Sequence, residues 1–383
     1  MQDWQTYYRE HLVSMDEAAK MIKSGDTLWC GMTISTPYNF LDRLNARRDE
    51  LENVTLIDNL SINPFDILFD EESKKHFHFL SLFTSPLDRM SGQMGIADFH
   101  TLPYEFAYRV IIETYGANVE VTEVLPPDEN GFVNVGILGV GLDGEVHKAP
   151  SIKKRIAIVN KRQARAPGKF EDLNFPVTDF ALFVEDEHEL PVLPVSAPTE
   201  NDMKIAAFIM PYINDGDVVQ IGMGGLGEQL AKGLYEKKNI SIFSEIAVDS
   251  MIPLVEKGIV DKLVCCGCFG SNELYEFLGT NPKVEMRNIW HMVDPVAIAQ
   301  QENLVAINST FMVDLTGQAC SESQGIRQYS SVGGAFGFLY GAIRAKGGKS
   351  FLCLRSTYKN DEGRLCSNVV AWLPEKSVVT TPR

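Results

Sequence analysis

Short apolar runs of strand length alternate with helical patterns along the chain. The runs are Val54-Thr-Leu-Ile57, Ile111-Ile112, Ile156-Ala-Ile-Val159, Ile240-Ser-Ile-Phe243, Leu263-Val264 and Phe351-Leu-Cys-Leu354. Strands that alternate with helices in this way tend to pair in parallel, with the helices on the faces of the sheet. The pattern therefore predicts an α/β protein built on mostly parallel sheets.

The pattern also repeats. Ser14-Met-Asp-Glu17 has the form of a capping box before a helical stretch. Thr199-Glu-Asn-Asp202 precedes a second stretch, Lys204 to Ile213. Beyond the first lies Ile22-Lys-Ser-Gly25-Asp26-Thr-Leu-Trp-Cys-Gly31-Met32. Beyond the second lies Ile213-Asn-Asp-Gly216-Asp217-Val-Val-Gln-Ile-Gly222-Met223, with Ile, Gly, Asp, Gly and Met at identical spacing. Each copy reads as a helix ending at Gly, a short strand, and a Gly that closes it. Between them Pro191, Pro194 and Pro198 follow the acidic run Glu185-Asp-Glu187, the composition of a linker. The expectation is two related open α/β domains with mostly parallel sheets, residues 1–190 and 199–383.

The clearest chemical signal follows the strand of the second copy. Gly222-Met223-Gly224-Gly225-Leu226-Gly227 precedes the helical run Glu228 to Tyr235, and Glu245 lies 18 residues beyond Gly227, at the end of the next apolar run. A strand, a G-x-G-x-x-G loop, a helix and a later acid form a dinucleotide fingerprint. The underlying physics is more general. Glycines let backbone N–H groups approach an anion, and a helix N-terminus favours negative charge. The loop suits a nicotinamide dinucleotide, or the carbonyl oxygen and pantetheine of a thioester, or a tight turn with no ligand.

Composition narrows the field. Asp and Glu total 51 against 35 Lys and Arg, a net charge of −16. Such a chain is a poor partner for nucleic acid or an anionic membrane. The N-terminus lacks the basic and apolar regions of a signal peptide, and the longest uncharged apolar stretch, Tyr329 to Ile343, is Gly-rich and short of a membrane span. Seven cysteines suggest no disulfide scaffold, so a reduced, cytoplasmic protein is expected. Cys265-Cys266-Gly-Cys268 reads as buried strand rather than metal ligand, and His76-Phe-His78 as strand alternation; no metal site is expected. Asp26 and Asp217 stand at matching turns and read as structural.

An ordered set of motifs runs through the whole chain. It includes Pro127-Asp128-x-x-Gly131, Val159-Asn160, the Gly222 loop, Asn281-Pro282, Asp294-Pro295, Asn308-Ser309, Val313-Asp314-Leu-Thr-Gly317-Gln318, Ser331-Val-Gly333-Gly334 and Lys346-Gly-Gly-Lys349. This set resembles the acetyl-CoA hydrolase/transferase family, the family I CoA-transferases of the 4-hydroxybutyrate and butyrate type. The resemblance implies two α/β domains of one kind and exchange of CoA between a short-chain acyl-CoA and a free carboxylate by a ping-pong route. Glu245 would be the catalytic nucleophile, forming a glutamyl-CoA thioester. Gly333 and Gly334 would contact the thioester and its oxyanion. Gly222, Met223, Gly224, Gly225, Leu226, Asn308 and Lys349 would bind CoA. No permanently bound cofactor is implied; coenzyme A and acyl-CoA enter as substrates, and a homodimer is expected.

The sequence departs from that pattern in three places. Gly333-Gly334-Ala335-Phe336-Gly337-Phe338 stands where the family commonly has Gly-Gly-Gln-x-Asp-Phe, so Ala335, Phe336 and Gly337 should line a more apolar acyl pocket together with Met32. The sequence closes at Val378-Val-Thr-Thr-Pro-Arg383, where the family usually continues through a Val-Thr-Glu-Tyr-Gly segment, so the expectation is either a tail absent from this sequence or a site without a wall that relatives have. Arg355 stands where relatives often have Pro and is the candidate for recognising a dicarboxylate such as succinate or itaconate. Short-chain monocarboxylates of the butyrate, 4-hydroxybutyrate and acetate type are the first expectation and dicarboxylates the second. An acyl-CoA hydrolase, and an NAD-dependent oxidoreductase using the Gly222 loop, are the alternatives.

Overall fold

The computed structural model describes residues 3–193, 196–360 and 362–381; Pro194 of the linker, and Pro382 and Arg383 of the closing segment, lie outside them. The chain divides into two compact units, each discontinuous in sequence. The first takes in the described residues as far as His100, then Phe106–Leu193 and Cys266–Ile289. The second takes in Thr101–Glu105, the described residues of the stretch ending at Cys265, and those from Trp290 onwards.

The first unit carries one sheet of strands β1 (Thr27–Met32), β2 (Val54–Asn59), β3 (Phe77–Ser81), β4 (Ala97–Phe99), β5 (Val119–Val124), β6 (Lys154–Val159) and β7 (Leu182–Glu185). They run in the order β4-β3-β2-β1-β5-β6-β7, with every neighbouring pair parallel. Leu28, Leu56, Phe79, Val121 and Ile156 pack against Phe40, Leu41 and Leu44 of helix α1 (Tyr38–Asn45) in one buried cluster. That face is why these runs are apolar: a parallel sheet is covered on both sides.

The second unit repeats the plan. Strands β8 (Val218–Ile221), β9 (Ile240–Phe243), β10 (Val260–Cys265), β11 (Leu304–Ser309) and β12 (Lys349–Cys353) run in the order β10-β9-β8-β11-β12, again parallel. Both units set the third, second and first strands after the shared Gly-Asp turn side by side, with a later strand on the other flank of the first, β5 in the first unit and β11 in the second. The turns match in detail. Asp26 Oδ2 accepts from Lys23 N at 2.8 Å, and Asp217 Oδ2 accepts from Asn214 N at 2.8 Å. Register extends the equivalence. Thr27 pairs with Thr55 and Val218 with Ser241, so Asn59 at the end of β2 holds the place that Glu245 holds beyond β9.

Both helix starts are capped as their residues suggest. Ser14 and Glu17 form the reciprocal box, as do Thr199 and Asp202 at helix α2 (Glu200–Ile209). One expectation fails. Ile111-Ile112 lies in a wide helical turn, Val110–Thr114, and the strand comes later, at Val119. The segment after Gly334 is helix α4 (Ala335–Ala342), following helix α3 (Gly225–Gly233) in chain order. Glycines stand at 337 and 341 of this helix because a Cβ at either position would collide with Val293 or Ile298. No helix among the described residues is long and apolar enough to cross a membrane.

Candidate active site

Glu245 stands one residue beyond Ser244, whose hydroxyl donates to Ile221 O at 2.7 Å and ties the end of β9 to β8. The residue is half-buried, and its carboxyl group is the enclosed part. One carboxylate oxygen lies so close to Gly334 that a Cβ there would overlap Oε2, and the Gly334 N–H donates to the carboxylate. Burial pushes the Glu245 carboxyl up to about 7; the Gly334 hydrogen bond pulls it down, and the nearby Glu105 carboxylate pushes it up again. Gly333 has φ +59°, and its carbonyl accepts from Tyr104 N at 3.0 Å. Ser331 Oγ accepts from Leu102 N at 3.0 Å, so the strip 102–104 holds the strip 331–333 in place. Gly334 is the N-cap of α4, which brings that helix's positive end to the carboxylate.

The Gly222 loop forms a separate opening in the same unit. Gly222 and Gly224 have free space where a Cβ would be, and Gly224 has φ +98°, which only glycine adopts readily. Gly227 is different: a Cβ there would overlap Gly222 O, so it serves the close turn. Met223, Gly224, Gly225 and Leu226 line a cleft of about 890 Å³ with Ser309, Thr310, Cys353 and Arg355. Asn308 Nδ2 donates to Gln220 Oε1 at 3.0 Å beneath it.

The structure thus brings Glu245, Gly333 and Gly334 together, and brings loop 223–226 and Arg355 together. It does not bring Lys349 to the loop. Lys349 begins β12 and pairs with Asp217 at 3.4 Å, at the end of the sheet opposite the Gly222 loop. Lys154 begins β6 and pairs with Asp26 in the same way at 2.7 Å, so this ion pair belongs to the repeated fold. Arg355 is partly occupied, donating to Thr199 Oγ1 at 3.3 Å and lying 3.6 Å from Asp202. Ala335, Phe336 and Gly337 form the first turn of α4: Phe336 stacks on Tyr340, and Gly337 is pressed against Val293 O. Met32 ends β1 in the first unit and is buried.

Sequence reading missed Glu105. It is 7% exposed, belongs to the second unit through the 101–105 strip, and its only sequence signal is Pro103, which interrupts the surrounding pattern. The cysteines of 265–268 are buried, with Cys265 ending β10.

A buried carboxylate at a strand end, seated on a glycine pair and set in a doubled parallel fold, fits an enzyme of the CoA-transferase class, and the comparisons with known proteins place the chain in that class. Residues 1–194 match the acetyl-CoA hydrolase/transferase N-terminal domain and residues 270–383 the C-terminal domain, and the chain belongs to this family. It is 32% identical to the succinyl-CoA:cyclohexane-1-carboxylate CoA transferase of Geobacter metallireducens, over 97% of this chain and 85% of that protein. It is 29% identical to the butyryl-CoA:acetate CoA-transferase of Anaerostipes caccae, over 98% and 86%. The crystal structure of RipA from Yersinia pestis superposes with a TM-score of 0.90 at 25% identity, covering 100% of this chain and 89% of that one. The enzyme class leaves the nicotinamide alternative unsupported. Glu245, the acid of the dinucleotide fingerprint, has its carboxylate on Gly334.

Proposed function

We propose that this enzyme moves CoA between a short-chain acyl-CoA and a free carboxylate through a glutamyl-CoA thioester on Glu245. The observation that carries the reading is the Glu245 carboxyl: enclosed, raised to about 7, and seated against the Gly334 N–H. A carboxylate stripped of water is a better nucleophile than a solvated one, and a thioester has a good leaving group. A Glu245 oxygen attacks the thioester carbonyl carbon, the C–S bond breaks, and CoA leaves as the thiolate. The thiolate then attacks the Glu245 carbonyl carbon of the mixed anhydride, forming the glutamyl-CoA thioester and releasing the acyl carboxylate. An incoming carboxylate reverses both steps. The backbone N–H of Gly333 can serve developing oxyanion charge, and that of Gly334 can do so once it turns from the Glu245 carboxylate to the reacting carbonyl. The open backbone of loop 222–226 suits the approach of pantetheine.

Monocarboxylates of the butyrate and acetate type are the first reading of the acyl group, supported by the uncharged first turn of α4 and by the butyryl-CoA:acetate relative. Dicarboxylates are the second, supported by the half-exposed Arg355 guanidinium at the cleft. The test is intact-protein mass after incubation with acyl-CoA alone. A CoA adduct that disappears on adding acetate supports the transferase. Steady release of CoA with no adduct and no acceptor supports hydrolysis and sinks the proposal.

A further inference from the structure

Glu105 is a second carboxyl group in the Glu245 neighbourhood, and nothing in the transfer chemistry above uses it. It is 7% exposed, and its Oε2 meets no hydrogen-bond partner among the described residues. It is held there rigidly. Tyr104 N donates to Gly333 O at 3.0 Å, and Ser331 Oγ accepts from Leu102 N at 3.0 Å, so the residues before Glu105 are laced to those before Gly334. Asp294 acts on Glu105, and Glu105 acts on Glu245, each with the repulsion of like charge. A buried acid without a cation or a full set of donors costs free energy. The fold pays that cost beside the nucleophile.

We propose that Glu105 is a positioning residue for Glu245: its carboxylate crowds the nucleophile in the free enzyme, and the crowding vanishes once Glu245 is acylated. The proposal rests on Glu245 being the nucleophile. Two like charges in a dry site repel, and each holds the other's proton more firmly. Burial, the main cause, together with Asp294 raises Glu105, and Glu105 in turn raises Glu245. The anhydride and the thioester of Glu245 are neutral at that oxygen, so the repulsion is absent from both. Glu105 therefore raises the free enzyme relative to its covalent forms and favours loading with CoA. One coupling governs two readouts. If it shifts the Glu245 titration by one pH unit, it changes the loading equilibrium about tenfold at a pH where both groups are ionised.

The test compares parent enzyme with Glu105→Gln and Glu105→Asp. One measurement is the pH profile of kcat/KM for acyl-CoA. The other is the fraction of CoA adduct by intact mass at pH 8, at a fixed ratio of acyl-CoA to carboxylate. Glu105→Gln is expected to move the acid limb down by about one pH unit and to lower the loading constant by the same factor. Glu105→Asp, which keeps the charge, should stay near the parent on both. Where the amide variant does not fold, Glu105→Ala is read in the same way. An acid limb and loading constant unchanged in Glu105→Gln overturn the role of Glu105. No CoA adduct on the parent overturns instead the reading of Glu245 on which it rests. Loss of activity with neither readout moved would mark Glu105 as a purely structural residue and also overturn the proposal.

Discussion

The ends of the first two strands in the two sheets differ in what fills them. In the first unit, β1 runs into Gly31, Met32 and Thr33, where a Cβ at Gly31 would lie 2.9 Å from Ser35 O and the backbone turns back on itself. The space beside it is filled by Asp143, which accepts from Trp29 Nε1 at 2.7 Å, with Ser35 and Thr122 alongside. In the second unit the equivalent turn is open at Gly222 and Gly224. The neighbouring strand tells the same story: Asn59 ends β2, and Glu245 stands at the matching place beyond β9. One topology therefore supplies a closed, interlocked crevice and an open one with an ionisable acid. The crevice beyond the carboxyl ends of parallel strands is where such folds bind ligands. The first unit has used that position for structure.

The largest effect should come from making the second strand end resemble the first. Glu245→Gln should reduce CoA transfer to background while the protein folds. It should also alter stability with a definite sign. The Glu245 carboxyl, raised to about 7 in the folded state, binds a proton there that the unfolded chain releases near the ordinary value of 4.5. Its contribution is therefore fully present below that value and is lost as pH rises towards 7. Glu245→Gln should raise Tm more at pH 8 than at pH 5; equal shifts at both would show that the carboxyl is not strained by burial. Next in size, Gly334→Ala forces a methyl onto Glu245 Oε2, and misplacement on this scale costs about 10²-fold in transfer. A parent-like rate would mean that the contact is not part of catalysis.

The third prediction moves to the closed crevice. Asp143→Ala leaves the buried Trp29 indole N–H unpaired, which costs about 1–3 kcal/mol in urea unfolding. The folded fraction should still take up CoA on Glu245, because the first crevice is read as structural. The smallest effect belongs to Arg355→Ala. The side chain is half-exposed and shared with Asp202, so the ratio of succinate to butyrate use should fall by about two- to fivefold. An unchanged ratio removes the support for dicarboxylates.

What could be read from sequence is what repeats locally. The Gly-Asp turns, the capping boxes and the strand lengths follow from residues a few positions apart, and the register match of the two units follows from them. Glu245 was legible because it sits at a strand end behind a glycine loop. Glu105 was not, since its place depends on a bridge from Pro103 to Gly333, 230 residues away. The same limit hid the buried acids of the first unit. Glu120 is recognisable as a partner of His147, at 2.8 Å, only once α-helical and strand segments are folded together. Lys349 shows the reverse case: the resemblance implies a CoA-binding role, while its pairing with Asp217 is what the repeat itself predicts from Lys154 and Asp26.

The two chain crossings matter for how the protein is made. Residues 101–105 leave the surroundings of their own half, and residues 266–289 leave those of theirs. A ribosome that has released the chain as far as the linker has not yet supplied the last piece of the first unit. That unit can close only after Ile289 has emerged, when the stretch of the second unit that ends at Cys265 is already exposed to solvent. Cutting the gene at the linker would leave each product short of a strip that the other carries. Two fragments expressed separately should regain transfer activity only when mixed, and the halves of this duplicated enzyme are no longer separable modules.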